Sequence, residues 1–253
     1  MALIGVSMAD VRARVVTMAD AAARLIGTSQ AIEGVRALLR ANAKRLDPVL
    51  ILGGPGTGKN LAAEILHALS ERPSAPFVRV VCPALTDSLL GEQLFGIESR
   101  PGAIEEANGG TLFLGLVDSL SAPILARLAL LLDQYEFTRL GSTEARRADV
   151  RLVMSAHQPT EGAPFFERPD LVRISIPPLR DRIGDVALIA EHFVRHLGPR
   201  VGRANTYITP EGLAELEHLA RTRWGGNVRA LSQYLELRLM QETQASREIE
   251  PID

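Results

Sequence analysis

The stretch with the clearest chemical meaning is GGPGTGKN, residues 53–60, which matches G-x-x-x-x-G-K at Gly53, Gly58 and Lys59. It follows the apolar run PVLILGG and precedes a segment with helical spacing of apolar residues, which is the context that this motif requires. Glycines let consecutive backbone N–H groups turn toward phosphate oxygens, and the lysine adds a positive charge. The stretch therefore predicts a phosphate-binding loop, with an ordinary Gly/Pro turn as the alternative.

The predicted nucleotide site is built on this loop. The loop residues are Gly53, Gly54, Pro55, Gly56, Thr57, Gly58, Lys59, Asn60 and Leu61. ATP or ADP is the expected ligand. Asn60 replaces the Ser or Thr that usually ligates Mg²⁺ in this motif, so we expect weakened magnesium binding.

A second stretch, GGTLFLGLVDSL at 109–120, looks like the buried strand that carries the acidic metal site in phosphate-binding ATPases. Gly115 and Leu116 stand where carboxylates are expected. Asp118 follows about 10 Å further along an extended strand and on its opposite face, which favours a surface or helix-capping role. Because removal of a positioned base costs about 10²–10⁴ in rate, efficient hydrolysis is not expected, and no catalytic residue is assigned.

The order of predicted elements gives the fold class. Strands alternate with helices from PVLILGG to DVRLVMSA, which favours an α/β core with a parallel sheet covered on both faces. From Ile183 the pattern is helical only, with Thr209 as an N-cap and Pro210 at the first helical position. The predicted segments are an N-terminal helical segment (1–26), a nucleotide-binding core (27–182), a small helical subdomain (183–245) and a flexible tail (246–253).

Composition excludes several classes of protein. The net charge is −2, which gives no basic field for nucleic acid. The single cysteine, Cys82, excludes an internal disulfide framework and fits a reducing compartment, and no apolar run is long enough to span a membrane. We therefore expect a cytoplasmic location. The histidines show no metal-ligand spacing, so no metal site is assigned.

Several stretches together resemble the central AAA+ domain of the bacterial enhancer-binding activators of sigma-54 RNA polymerase. They are GPGTGKNLAAEILH (54–67), LLGEQLFGIE (89–98), EEANGGTLFL (105–114), EFTRLGS (136–142), ADVRLVMSAHQ (148–158), IPPLRDRIGDVALIAEHF (176–193) and WGGNVRALSQYLE (224–236). The resemblance implies a P-loop AAA+ core with a helical lid, ATP bound at their junction, and ring-shaped oligomers. It also implies that Gly53 to Asn60 hold the phosphates and that Arg229 senses the γ-phosphate.

The sequence departs from the family pattern at positions that carry the family's activity. Members have an inserted GAFTGA loop that touches sigma-54, but here only Ser99, Arg100 and Pro101 precede Gly102. The Asp-Glu pair that organises Mg²⁺ and polarises water in the family is replaced by Gly115 and Leu116. The resemblance therefore implies a divergent member that lacks the sigma-contacting loop and the Walker B acids.

Two further family residues have no clear equivalent here. Val81 occupies the place of an asparagine that restrains the catalytic Glu, and His157 that of a sensing asparagine. Arg168 and Arg173 are candidates for the arginines that reach a neighbouring subunit, with a solvated surface role as the alternative.

Three functions follow from these observations. The first is a nucleotide-responsive pseudo-ATPase that regulates transcription through contacts with another protein or a second copy of itself, without direct sigma-54 contact. The second is an active ATPase that uses a substitute group such as Asp118 or Glu92, and the third is a scaffold without nucleotide. Family members usually end in a helix-turn-helix unit, whereas this sequence stops at Asp253, so no DNA-binding region is expected within it.

Overall fold

The computed structural model describes residues 21–158, 163–202, 206–222, 224–241 and 248–249. The helical segment predicted over 1–26 lies outside these residues up to position 20, and its described part includes a 3₁₀ turn at Ala21–Arg24. The predicted tail also lies outside them except for Glu248–Ile249.

The described chain divides into two compact units. The first consists of the described residues up to Arg24, together with Arg36–Ile51 and Asn60–Ile174. The second consists of Leu25–Val35, Leu52–Lys59 and the described residues from Ser175 onward. Residues 53–59 of the phosphate loop therefore group with the C-terminal helices, whereas Asn60 and Leu61 group with the first unit.

A five-stranded sheet in the order β2-β3-β6-β1-β7 confirms the predicted α/β class. Its strands are β1 (Val49–Leu52), β2 (Phe77–Val81), β3 (Thr111–Gly115), β6 (Arg151–Ala156) and β7 (Val172–Ser175). The pairs β2–β3 and β3–β6 are parallel. Every residue of β1, β3 and β6 is buried, as expected for strands that are covered on both faces. The edge strand β2 is mixed, with Val80 1% exposed and Val81 40% exposed.

The remaining strands are short pairs that were not predicted, and β7 was not predicted either. An antiparallel pair is formed by β4 (Glu136–Thr138) and β5 (Ala145–Arg147), and a parallel pair by β8 (Tyr207–Ile208) and β9 (Glu248–Ile249).

Eight α-helices lie in the described residues, the last three of them within the predicted helical subdomain (183–245). They are α1 (Gln30–Ala43), α2 (Lys59–Ala68), α3 (Asp87–Phe95), α4 (Ala103–Glu106), α5 (Ala122–Gln134), α6 (Val186–Leu197), α7 (Pro210–Thr222) and α8 (Asn227–Gln241). The hydroxyl of Thr209 accepts a hydrogen bond from the Gly212 amide at 3.1 Å, so Thr209 caps α7 as predicted. No helix among the described residues is long and apolar enough to cross a membrane.

The helical part of the second unit has its own apolar core. Helices α6, α7 and α8 contribute buried aliphatic side chains to it, and Trp224 and Tyr234 pack at its margin with ring centroids 5.8 Å apart. The buried members are Leu179, Val186, Ile189, Ala190, Val194, Leu216, Ala220, Leu231, Leu235 and Leu239. These helices can therefore hold the residues near the phosphate loop in fixed positions.

Candidate functional site

The phosphate loop connects the end of β1 to the start of α2 and needs glycine at its tightest points. Gly56 has φ +71, and a Cβ atom there would lie 2.0 Å from the carbonyl oxygen of Gly226. Gly53 has φ +156, and its Cβ would lie 2.8 Å from Oγ1 of Thr57. Since no other residue fits these positions without displacement, the glycines permit both the turn and its close packing.

Lys59 is the first residue of α2 and its ammonium group points back onto the loop. Its Nζ donates hydrogen bonds to the carbonyl oxygens of Gly53 at 2.6 Å and Gly54 at 3.0 Å, and the side chain is only 8% exposed. Asn60 and Leu61 follow in the first turn of the same helix, half-buried. The predicted loop residues are thus consecutive at a helix amino terminus, which is the arrangement that binds phosphate.

The start of α8 lies against the tip of this loop. Asn227 donates from Nδ2 to the carbonyl oxygen of Pro55 at 2.8 Å. A Cβ at Gly56 would lie 2.9 Å from Cβ of Arg229, whose side chain is exposed. Arg229 therefore lies beside the loop, and Asn227, which was not among the predicted site residues, contacts it.

Two further charged residues, which were not predicted as site residues, are buried in the same unit, and one of them, Arg182, contacts the loop. Arg182 is 3% exposed and donates to the carbonyl oxygen of Thr57 at 3.3 Å, and burial lowers the pKa of its guanidinium. Asp185 is fully buried and accepts hydrogen bonds from the amides of Thr28 (2.7 Å) and Ser29 (2.8 Å) and from the Ser29 hydroxyl (2.6 Å). Because Arg182 and Asp185 stand in a charged turn, composition alone suggests a solvated surface rather than buried supports.

The carboxyl end of β3 lies in the first unit and carries no acidic side chain at its last position or the next one. Gly115 ends the strand, and Leu116 takes a left-handed conformation with φ 63 and donates its amide to Oγ of Ser155 at 3.2 Å. Asp118 stands in a 3₁₀ turn, as the predicted surface role requires, and its Oδ2 is 3.4 Å from Nδ1 of His157. The nearest acidic group along the chain is therefore engaged by a histidine.

The two candidate trans-acting arginines are both engaged within the chain. Arg168 contacts Asp133 at 2.7 Å and Asp170 at 2.9 Å, and Asp170 is the main cause of its raised pKa. Arg173 donates to the carbonyl oxygen of Phe166. With its side chain only 17% exposed, Arg168 is not the freely solvated arginine that was considered as the alternative.

Within the described residues, no group of three or more His, Cys, Asp or Glu side chains could hold a metal ion. His192 and His196 lie one turn apart on α6 with ring centroids at 4.0 Å, without a third such residue. Protein side chains alone therefore form no metal centre in this part of the chain.

Comparison with known proteins places the core and the lid in known families. The Sigma-54 interaction domain model matches residues 25–164, and the AAA+ ATPase lid domain model matches residues 180–252. The chain is 34% identical over 229 residues to a Nif-specific regulatory protein of Herbaspirillum seropedicae, in an alignment that covers 84% of this chain and 42% of that protein. The chain therefore spans about two fifths of that relative's length.

Solved structures give the same result at the level of the fold. NtrX from Brucella abortus in complex with ADP matches with a TM-score of 0.84 and 28% identity over 96% of this chain and 56% of that one. The same protein in complex with ATP matches with a TM-score of 0.78 and 29% identity, over 92% and 56% of the two chains. On this evidence the chain belongs to the Sigma-54 interaction domain family and includes an AAA+ lid.

Proposed function

We propose that this chain is the nucleotide-binding AAA+ domain of a sigma-54-type transcription regulator, and that it binds ATP or ADP with little or no hydrolysis. The observation that carries this proposal is the loop from Gly53 to Lys59, with its glycine turns, its buried lysine and its position at a helix amino terminus. The ATP and ADP complexes of NtrX support the same ligand class for this chain. Asn60 offers an amide in place of a hydroxyl, which favours weak magnesium binding.

Arg229 completes the proposed nucleotide site. It lies beside Gly56 and is exposed, so its guanidinium has the freedom to contact a phosphate bound at the loop. Asn227 and Arg182 hold the loop from the lid side by hydrogen bonds to Pro55 and Thr57. The residues of the loop from Gly53 to Lys59 are therefore held by contacts within the second unit.

The proposal of little or no hydrolysis rests on the residues at the carboxyl end of β3. The family resemblance implies an Asp-Glu pair at the positions of Gly115 and Leu116, and neither of these side chains can act as a base or a metal ligand. Of the two substitutes considered above, Asp118 has its Oδ2 3.4 Å from Nδ1 of His157, and Glu92 lies on α3. This arrangement favours the nucleotide-responsive regulator over the active ATPase.

We propose that the chain acts through surfaces other than a sigma-contacting loop, because the connection between α3 and α4 is short. Ile97 and Arg100 exchange two backbone hydrogen bonds of 3.0 Å, which close a tight turn. A Cβ at Gly102 would lie 2.3 Å from the amide nitrogen of Gly96, so the two ends of this connection touch. A turn this short presents no projecting loop, and we propose another regulator or a second copy of the chain as the partner.

A calorimetric titration with ATP and Mg²⁺ tests the proposal, with Lys59→Ala as the matched control. Saturable binding that Lys59→Ala abolishes, with no heat released after saturation, is the expected result. Continued heat release would show that a substitute catalytic group exists. Absence of binding in the wild type, or equal binding in Lys59→Ala, would overturn the assignment of the phosphate loop and leave a scaffold.

A further inference from the structure

A charged cavity of about 160 Å³ lies in the first unit, at the amino-terminal edge of the sheet. Thr111 and Arg151, the first residues of β3 and β6, form part of its wall. Lys44, Arg45 and Arg72 also line it. None of these residues belongs to the loop or the lid described above, so the cavity is separate from the proposed nucleotide site.

The charges around this cavity are not balanced. Arg45 pairs with Asp47 at 2.7 Å. Arg72 pairs with Asp149 at 2.8 Å. Lys44 and Arg151 form no ion pair with a described residue, and the only acidic residue in the described lining is Glu71. The cavity therefore has two cations without a paired carboxylate and one opposing charge.

Arg151 is the most deeply buried of these cations, at 2% exposed. Its two terminal nitrogens donate to the carbonyl oxygens of Ala43 and Asn42, both at 2.6 Å, and so cap the end of α1. Its Nε is buried without a hydrogen-bond partner among the described atoms. Burial is the main cause of the lowered pKa of the guanidinium; the charge of Asp47 partly offsets it, and the charge of Arg72 lowers the pKa further. A buried cation that no described carboxylate contacts is costly, and an anion in the cavity relieves part of that cost.

We propose that this cavity binds a phosphate group, either free inorganic phosphate or the phosphate of a small metabolite, with Lys44 and Arg151 as the charges that attract it. The cavity is small, which suits a compact anion, and two unpaired cations match the charge of a phosphate dianion. The negative charge of Glu71 repels phosphate and therefore weakens its binding. This assignment does not depend on the proposed nucleotide site.

The pKa of His67 can report whether an anion occupies the cavity. Its Nδ1 is 2.9 Å from Oγ1 of Thr111, and the residue is 8% exposed. Burial is the main cause of its lowered pKa, and the positive charge of Arg151 lowers it further. An anion bound beside Arg151 offsets that repulsion, so the pKa of His67 must rise when the cavity is filled.

The test is a titration with inorganic phosphate at constant ionic strength, followed by calorimetry and by NMR of the His67 ring. The Lys59→Ala background removes any binding at the phosphate loop. We expect saturable binding with a rise in the pKa of His67, about tenfold weaker binding in Lys44→Gln, and roughly two- to fivefold tighter binding in Glu71→Gln. Arg40→Gln removes an exposed charge from α1, outside the cavity lining, and should leave binding unchanged.

Phenyl phosphate in a parallel titration distinguishes the two sources of the ligand. Tighter binding of the ester points to a phosphorylated metabolite, and exclusion of the ester points to the free anion. A His67 pKa that does not move with either probe, or equal weakening by Lys44→Gln and Arg40→Gln, would overturn the proposal and leave a solvated basic surface. Arg151 is not substituted, because its loss would also uncap α1.

Discussion

Asn227 ties the phosphate loop to the segment that opens the lid. Its Nδ2 donates to the carbonyl oxygen of Pro55 at 2.8 Å, and its Oδ1 accepts from the amide of Leu179 at 2.8 Å. The residue is 5% exposed and has φ 52, a left-handed conformation that asparagine tolerates better than most residues. One buried amide thus fixes two chain segments that are far apart in sequence.

Replacing Asn227 should lower the free energy of unfolding of the second unit. Asn227→Ala leaves the Leu179 amide, in a residue only 1% exposed, without its partner, and we expect a loss of about 1–3 kcal/mol in the free energy of unfolding. Fluorescence of Trp224, the only tryptophan of the chain, reports unfolding of this unit in urea. Asn227→Asp keeps the acceptor for Leu179 and is the matched control. Equal stability of the wild type and Asn227→Ala would show that the contact contributes nothing.

Restoring carboxylates at the end of β3 should create hydrolysis. A Cβ at Gly115 would meet only ordinary contacts, the nearest at 3.6 Å, so there is space for the first side-chain atom of an aspartate. We expect the double variant Gly115→Asp, Leu116→Glu to hydrolyse ATP at least about 10²-fold faster than the wild type in a phosphate-release assay. The control variant Gly115→Asp, Leu116→Gln retains the shape without the base. A wild type as fast as the double variant would contradict the proposed loss of activity.

The sequence was sufficient to predict the central strands and the phosphate loop because both have local signals. Strand β1 is apolar throughout, β3 and β6 contain the apolar runs LFL and LVM, all three strands are buried, and the loop carries a spaced motif. By contrast, β5 reads ARR and is only three residues long, and β7 alternates apolar with polar residues at an edge of the sheet. Strands this short gain their order from a partner strand, which no local pattern reveals.

The supports of the loop were not predictable for a different reason. Arg182 and Thr57 are 125 positions apart in sequence, and Asn227 and Pro55 are 172 apart. Their function depends on which backbone carbonyl the fold places within reach. Side-chain type and spacing therefore identify the loop but not the residues that hold it.

The tight turn between α3 and α4 should depend on Arg139. This side chain donates to both carboxylate oxygens of Glu105, at 2.7 and 2.8 Å, and to the carbonyl oxygens of Ile97 (3.3 Å) and Glu98 (2.9 Å). Arg139→Ala should therefore speed amide hydrogen exchange at Ile97 and Arg100, whose amides close the turn. Arg139→Lys retains the charge but cannot donate in the same fork, and should give an intermediate rate. Unchanged exchange in Arg139→Ala would show that the backbone holds the turn alone.

Cys82 should make stability fall at alkaline pH. The thiol is 2% exposed, and burial raises its pKa from 9.0 to about 12. Above the unfolded pKa of 9.0, the folded state retains a proton that the unfolded state releases, so this contribution to stability is complete below that pH and is lost as pH rises toward 12. Urea midpoints between about pH 8.5 and 10.5 should fall more steeply in the wild type than in Cys82→Ala, which has no thiol to titrate. Because Tyr234, with its pKa also raised to about 12, is present in both proteins, its contribution cancels in the comparison. Parallel curves for the two proteins would mean that the Cys82 thiol titrates alike in the folded and unfolded states.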